Sequence, residues 1–153
     1  MISFSFSSVL KIHDQVALFP SFETGGLLVG IGTSVMYALP AENEADDPKS
    51  AFVIGGEQLA ALVDSIGDRE NYHLAPDGLG WSEPRLELLG SYHSHPNGRA
   101  DLSPGDAALA EVTGLLLLVA PGPTWQWRLW NPAAGGAVDQ VTIAWPNVLP
   151  HCK

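Results

Sequence analysis

Cysteine, basic side chains and long apolar runs are all scarce in this sequence, and each scarcity removes a class of protein. One cysteine is present, Cys152. It permits no intramolecular disulfide and no cysteine-rich zinc site, so any metal must be held by histidine and carboxylate. Cys152 itself reads as a stray thiol. Lysine and arginine number 7 against 17 aspartates and glutamates, a net charge of −10. Such a surface repels phosphate backbones and acidic lipids, which argues against nucleic-acid and membrane partners. Part of the acid lies in Glu42-Asn43-Glu44-Ala45-Asp46-Asp47, which reads as a solvated loop. The longest apolar run, Leu115–Ala120, falls far short of the roughly 20 residues that span a bilayer. Met1–Ser8 lacks the basic start and apolar stretch of a signal peptide. The expectation is a soluble cytoplasmic protein.

What is present suits one folded domain over residues 1–153. The chain has 153 residues, 46% hydrophobic and 16% charged, enough to bury one core and too apolar for disorder. Ile2, Phe4 and Phe6 alternate with Ser3, Ser5 and Ser7 as in a half-buried strand, and Ser7 or Ser8 is placed to cap a helix. Val9, Ile12, Val16 and Phe19 recur at helical spacing, closed by Pro20. Gly26–Gly30 reads as a short strand with Val35–Leu39 returning antiparallel to it, and Pro40–Ser50 as an acidic loop. Ala51–Ile54 is a strand candidate. Leu59, Leu62, Val63 and Ile66 share a helical face bounded by Gly55-Gly56 and Gly67. Asp68–Pro84 has no period and contains Pro76, Gly78, Gly80 and Pro84, so it reads as an irregular insertion or flap. Leu86–Tyr92 is a strand, Ser103–Val112 a helix, and Leu115–Val119 a strand apolar on both faces. Trp125–Trp130 and Val138–Trp145 are read as two further strands, joined around Asn131-Pro132 and Gly135-Gly136. Strands and helices mix without strict alternation, which indicates an α/β or α+β domain with a mixed sheet flanked by helices.

The chemistry concentrates between Tyr92 and Asp106. His93 and His95 sit two apart at a strand end, so the period of 2 aims both imidazoles at one face. Their Cα atoms are then roughly 6.5–7 Å apart, close enough for two ring nitrogens to converge on one ion at about 2.0–2.1 Å each. Ser103 is a helix N-cap with Pro104 at the first helical position and Asp106 at the third. A loop turning at Gly98 can fold that helix start back over the strand end, which makes Asp106 the third ligand. Three protein ligands leave one position of a tetrahedral ion open, the mark of a catalytic site. Taken singly, a His-x-His pair on a strand is more often fortuitous, and Ser-Pro-x-Asp is usually only a helix start. The joint spacing raises them to a candidate site. His13, His73 and His151 fall outside the pattern. Ser91 is an ordinary strand serine or a hydrogen-bonder behind the site. Trp125, Trp127 and Trp130 are read as sheet packing. Gly25-Gly26 permits close backbone approach, as a groove wall or an edge bulge.

The spacing His-x-His-x₇-Ser-x-x-Asp, with Pro96 after the second histidine, resembles the JAMM (MPN+) metalloprotease motif at every position. Glu23-Thr24-Gly25-Gly26-Leu27-Leu28-Val29-Gly30 resembles the glutamate-bearing strand entry of the same family. The likeness runs from the first strand to about Ala120, leaving strands over 124–146 beyond it, and suits a compact prokaryotic-type member. It implies the cytidine-deaminase-like sandwich of MPN domains and one Zn²⁺ per chain on His93, His95 and Asp106. It further implies that Glu23 takes a proton from the attacking water and passes it to the leaving amine, and that Ser103 donates its hydroxyl to the oxyanion. Zinc, a carboxylate base and a hydroxyl donor are each suited to those roles.

Relatives in that family commonly cleave after the C-terminal Gly-Gly of ubiquitin or of ubiquitin-like sulfur carriers. The resemblance therefore implies hydrolysis of a peptide or isopeptide bond, with an extended tail held against an exposed strand. Only Asp68–Pro84 is available as a substrate-contacting insertion, which favours a small β-grasp sulfur carrier over polyubiquitin. Two alternatives stand beside this reading. One is a zinc protein of the DNA-repair-associated group with a similar signature, against which the charge argues. The other is a non-catalytic scaffold of the same fold.

Overall fold

A computed structural model describes residues 1–71, 85–132 and 138–147. Residues 72–84 of the insertion expected over Asp68–Pro84, the Gly135-Gly136 junction, His73, His151 and Cys152 lie outside the described residues. The elements are β1 (Ile2–Phe4), α1 (Phe6–Leu18), β2 (Gly25–Ile31), β3 (Ser34–Ala41), α2 (Gly56–Asn71), β4 (Glu87–Ser94), α3 (Pro104–Thr113), β5 (Leu115–Ala120), β6 (Gln126–Pro132), β7 (Val138–Val141) and β8 (Ile143–Ala144). The fold is a single α+β domain. One mixed eight-stranded sheet runs in the order β7-β6-β5-β4-β2-β3-β1-β8. β4 pairs with β5 in parallel, as β1 does with β3 and β8; the other pairs are antiparallel.

β7 and β8 occupy opposite edges of the sheet yet are separated in sequence by Thr142 alone. The sheet is therefore curled until its two edges meet at that residue. The one strand expected over Val138–Trp145 is thus two, because the chain pairs with β6 and then crosses to pair with β1. One core cluster gathers side chains from all eight strands and from Val9, Ile12 and Val16 of α1, as the inside of such a curl must. The other face carries two smaller clusters. One unites Leu27, Val29, Leu39 and Leu86 with Ile66 of α2, and the other Leu116, Leu118 and Ala120 with Ala110 of α3. Strand alternation explains the division: Leu115, Leu117 and Val119 face α1 while their neighbours face α3.

Several boundaries differ from the sequence expectation for physical reasons. β1 stops at Phe4 because Ser5, not Ser7 or Ser8, caps α1. The Ser5 hydroxyl accepts from Ser8 N and donates to Met36 O at 2.7 Å, a contact with β3 that local pattern cannot reveal. Phe6, the first residue of α1, and Phe19, its C-cap, are each just under half exposed. Gly67 and Asp68 do not end the second helix, which continues to Asn71. Ala51–Ile54 forms no strand: Glu44 N donates to Val53 O, Ala51 N turns back to Asp47 O, and the Asn43 side chain takes Ala51 O and Val53 N. Pro40 and Ala41 belong to β3 rather than to the loop.

Candidate metal centre

Three chain segments meet at one end of the sheet. β4 ends at Ser94, and His95 continues its line by donating its N–H to Val119 O of β5. Tyr92 points into the α1-side core, so His93 and His95 both point to the other face, toward α3. β2 begins beside them, with Gly25 opposite His93. A Cβ on Gly25 would strike Tyr92 O and His93 Cβ, so only glycine lets β2 pass this close under the histidine. Ser94 closes the junction: its N–H donates to Thr24 O and its hydroxyl accepts from Thr24 N. Glu23 is thereby fixed next to the strand end. Between His95 and Ala100 the chain turns at Gly98, whose φ of 79° lies in the left-handed region. That turn returns the chain to α3.

The start of α3 is a capping box. The Ser103 hydroxyl accepts from Asp106 N at 3.1 Å, and the Asp106 carboxylate accepts from Ser103 N at 2.9 Å. Asp106 is thus clamped by its own helix with one carboxylate edge turned to the histidines. Its Oδ1 is 2.8 Å from His93 Nε2 and its Oδ2 3.3 Å from His95 Nε2. The two Nε2 atoms lie 3.3 Å apart. Glu23 Oε1 approaches His95 Nε2 to 3.6 Å. All four side chains are buried.

Burial works against the charge on each of these groups, and neighbours decide the outcome. Burial raises the Glu23 carboxyl to about 7; the His95 ring opposes this and the Asp106 and Asp47 charges add to it. Burial also acts on Asp106, but hydrogen bonds with His93, His95 and Ser103 overcome it and hold the carboxyl well below its usual range. His93, enclosed completely, is lowered by burial despite Asp106. His95 is raised, because its partners outweigh its burial. Two carboxylates in one site are therefore driven apart, one to the ionised form and one toward neutrality.

The donor set fits a metal ion. Ligands about 2.0–2.1 Å from a tetrahedral ion lie roughly 3.3 Å from one another. That is the spacing of the two imidazole nitrogens here, and of His95 with Asp106. Facing lone pairs at this distance repel unless a proton or a cation lies between them. His95 Nδ1 donates to Arg99 O at 2.8 Å, which in the neutral ring fixes the tautomer and leaves the Nε2 lone pair for a metal. Donor atoms of Glu23, His93 and His95 lie within 4.8 Å of one another, so this buried group can bind a metal. By distance alone either carboxylate could join the histidines. Asp106 is the nearer, the ionised and the more rigidly held of the two.

The candidates picked from sequence alone thus converge: His93, His95, Asp106 and Glu23 touch, and Ser103 caps the helix that presents Asp106. The Ser103 oxygen serves the cap by accepting, so its hydroxyl hydrogen stays free to donate elsewhere. Cap and donor are compatible. Ser91 does not reach the histidines. Thr113 donates to Leu109 O, so Ser91 donates to Thr113 Oγ1 at 3.0 Å and ties β4 to α3. His13 stacks on Trp125, and Trp127 and Trp130 pack the sheet. Three contributors went unseen. Ser94 had no signal beyond its place between two same-face ligands, which turns it toward β2. Phe52, stacked on His93 at 5.3 Å between ring centroids, and Asn43, bonded to the backbone on either side of Phe52, had none.

Residues 7–131 match the model of a family described as prokaryotic homologs of the JAB domain. No curated protein sequence matches the chain. Among solved structures, the solution structure of a Desulfitobacterium hafniense protein is similar, with a TM-score of 0.72 at 21% identity, covering 99% of this chain and 97% of that one. A Salinibacter ruber protein gives 0.60 at 16% identity, covering 96% and 93%. A crystal structure of a JAB1/MPN domain protein from Archaeoglobus fulgidus gives 0.54 at 14% identity, covering 95% and 98%. At these identities the structural likeness speaks for the fold. No helix among the described residues is long and apolar enough to cross a membrane.

Proposed function

We propose that this chain, which belongs to the family of prokaryotic homologs of the JAB domain, is a zinc-dependent peptidase or isopeptidase. The observation that carries the reading is the pair of buried imidazole nitrogens 3.3 Å apart with Asp106 against both. His93, His95 and Asp106 hold the ion, and Glu23 stays outside its ligand set as the base.

Bound zinc supplies Lewis-acid polarisation of a scissile carbonyl and lowers the pKa of water toward 7. Asp106 brings a fixed negative charge that offsets the cation. Arg99 O, accepting from His95 Nδ1, keeps the ring turned with Nε2 inward. Glu23, with an affinity for protons near neutrality, accepts a proton from the attacking water and returns it to the leaving amine. Ser103 uses its free hydroxyl hydrogen on the oxyanion of the tetrahedral state. For the substrate we favour a bond following the Gly-Gly end of a ubiquitin-like or β-grasp sulfur-carrier protein. Support comes from the motif resemblance, and from an acidic surface better matched to a protein partner than to nucleic acid.

The test is elemental analysis of the purified protein beside His95→Ala. About one zinc per chain, lost in the variant, is the expected result. A wild type without metal after zinc is supplied sinks the proposal. Cleavage of a fluorogenic Gly-Gly-tailed carrier, stopped by a chelator and restored by zinc, then tests the substrate separately.

A further inference from the structure

The acidic stretch after β3 reads from sequence as a solvated loop, and its carboxylates are indeed exposed apart from their local bonds. Asn43 in its midst is different. Its side-chain amide uses every hydrogen-bonding capacity it has. Nδ2 donates to Glu23 O at 2.9 Å and to Ala51 O at 2.8 Å. Oδ1 accepts from Ala45 N at 3.0 Å and from Val53 N at 3.1 Å. One amide therefore joins the backbone of Glu23 to the residues on both sides of Phe52. A main-chain bond from Glu23 N to Pro48 O adds a second tie between the same segments. The loop is also pinned to α2, where Gln58 brackets Glu42 and bonds the Glu44 carboxylate.

The residue so held lies flat on the site. The Phe52 and His93 rings are 15° from parallel, with centroids 5.3 Å apart. His93 differs from His95 in what orients it. His95 Nδ1 has Arg99 O, whereas His93 Nδ1 is buried and finds no partner among the described residues. A histidine ligand is ordinarily oriented by a hydrogen bond at its second nitrogen. For His93 the flat contact of Phe52 on one ring face replaces it.

We propose that Asn43 and Phe52 are positioning residues: Phe52 sets the plane of the His93 ring, and Asn43 fixes both Phe52 and the backbone of Glu23. The part concerning zinc deepens the function proposed above and rests on it. The part concerning ring geometry does not.

The test uses the full chain in two states. In the metal-free protein, proton spectra should show His93 ring signals moved upfield by the Phe52 ring current. Phe52→Leu should return them toward ordinary histidine positions and weaken zinc binding, read by competition with a chromophoric chelator, by about 10–100-fold. Phe52→Tyr, which keeps the ring, should preserve both. Asn43→Asp keeps size and acceptors but loses both donors. It should move the His93 signals in the same direction as Phe52→Leu while the Trp127 and Trp130 indole signals stay put. Unchanged His93 signals and unchanged zinc affinity in Phe52→Leu would overturn the proposal, as would a Phe52→Tyr variant behaving like Phe52→Leu. Should Asn43→Asp fail to fold, the Phe52 pair still decides. A wild type that binds no zinc overturns the function above, and the ring signals then judge the geometry alone.

Discussion

β4 and β5 lie side by side in parallel, with His93 level with Leu118 and Tyr92 level with Leu117. Both are buried along this stretch, yet they are built oppositely. β5 is Leu-Leu-Leu-Leu-Val-Ala, and every residue is buried. β4 opens with exposed Glu87, passes through Leu88-Leu89-Gly90 and finishes with buried polar Ser91, His93 and Ser94, followed by buried His95. An apolar strand needs only packing on its two faces. A buried polar strand end needs a partner for nearly every group, because an unsatisfied buried donor or acceptor costs about 1–3 kcal/mol. The partners come from Thr24, Asp106 and Thr113 on other segments and from Arg99 across the Gly98 turn. β5 thus supplies core packing, whereas the end of β4 gathers the polar groups of the candidate metal centre, whose position depends on β5 beside it.

That division can be broken by substitution. The largest effect is expected from Glu23→Gln, which keeps shape and removes the proposed base. Turnover should fall by about 10²–10⁴-fold while zinc content holds at the wild-type level. Wild-type turnover in this variant would remove Glu23 from the reaction. Asp106→Asn comes next. The amide oxygen can still accept from Ser103 N, so the helix start survives, but the ligand charge is gone. Zinc affinity should drop by more than the roughly 10–100-fold typical of residues behind a metal ligand, with thermal stability of the metal-free protein little altered. Full zinc occupancy at limiting metal would point to Glu23 as the third ligand instead.

On the β5 side, Leu117→Ala should lower stability by about 2–5 kcal/mol, read from denaturant unfolding, since the side chain is fully buried in the α1-side core. The folded fraction should still bind zinc. Lost binding in protein that is demonstrably folded would show that the two strands are not separable. The smallest expected effect is Ser103→Ala, which removes the cap of α3 at a cost of about 1 kcal/mol. If the hydroxyl also serves the oxyanion, turnover falls as well, by more than the loss of folded protein accounts for. A fall in stability alone would leave Ser103 as a cap only.

Much of this division could be read from the chain, and where the reading failed the cause is specific. Ser103, Pro104 and Asp106 declare a helix start by residue type, and the structure has that start, capping box included. Val9, Ile12 and Val16 marked the buried face of α1. Gly67 misled as a helix stop, because glycine in a helix is tolerated at roughly 1 kcal/mol when neighbours hold the helix. Ala51–Ile54 looked like a strand because β-branched and aromatic residues favour pleated surfaces. The Ala51 carbonyl and the Val53 N–H are instead taken up by the amide of Asn43, a single polar side chain within an acidic run.

Local rules by themselves determined that His93 and His95 share a face and that Asp106 sits in the first turn of a helix. Both follow from backbone periods and cap chemistry acting over a few residues. Only the tertiary structure decided that Glu23 stands beside them, that Phe52 lies on His93, and that Val138–Ala144 splits between opposite sheet edges. Those depend on strand register and on bonds such as that between Thr24 and Ser94, 70 positions apart. Such pairings are selected by the closure of the whole sheet around its core, a condition no short stretch of the chain contains.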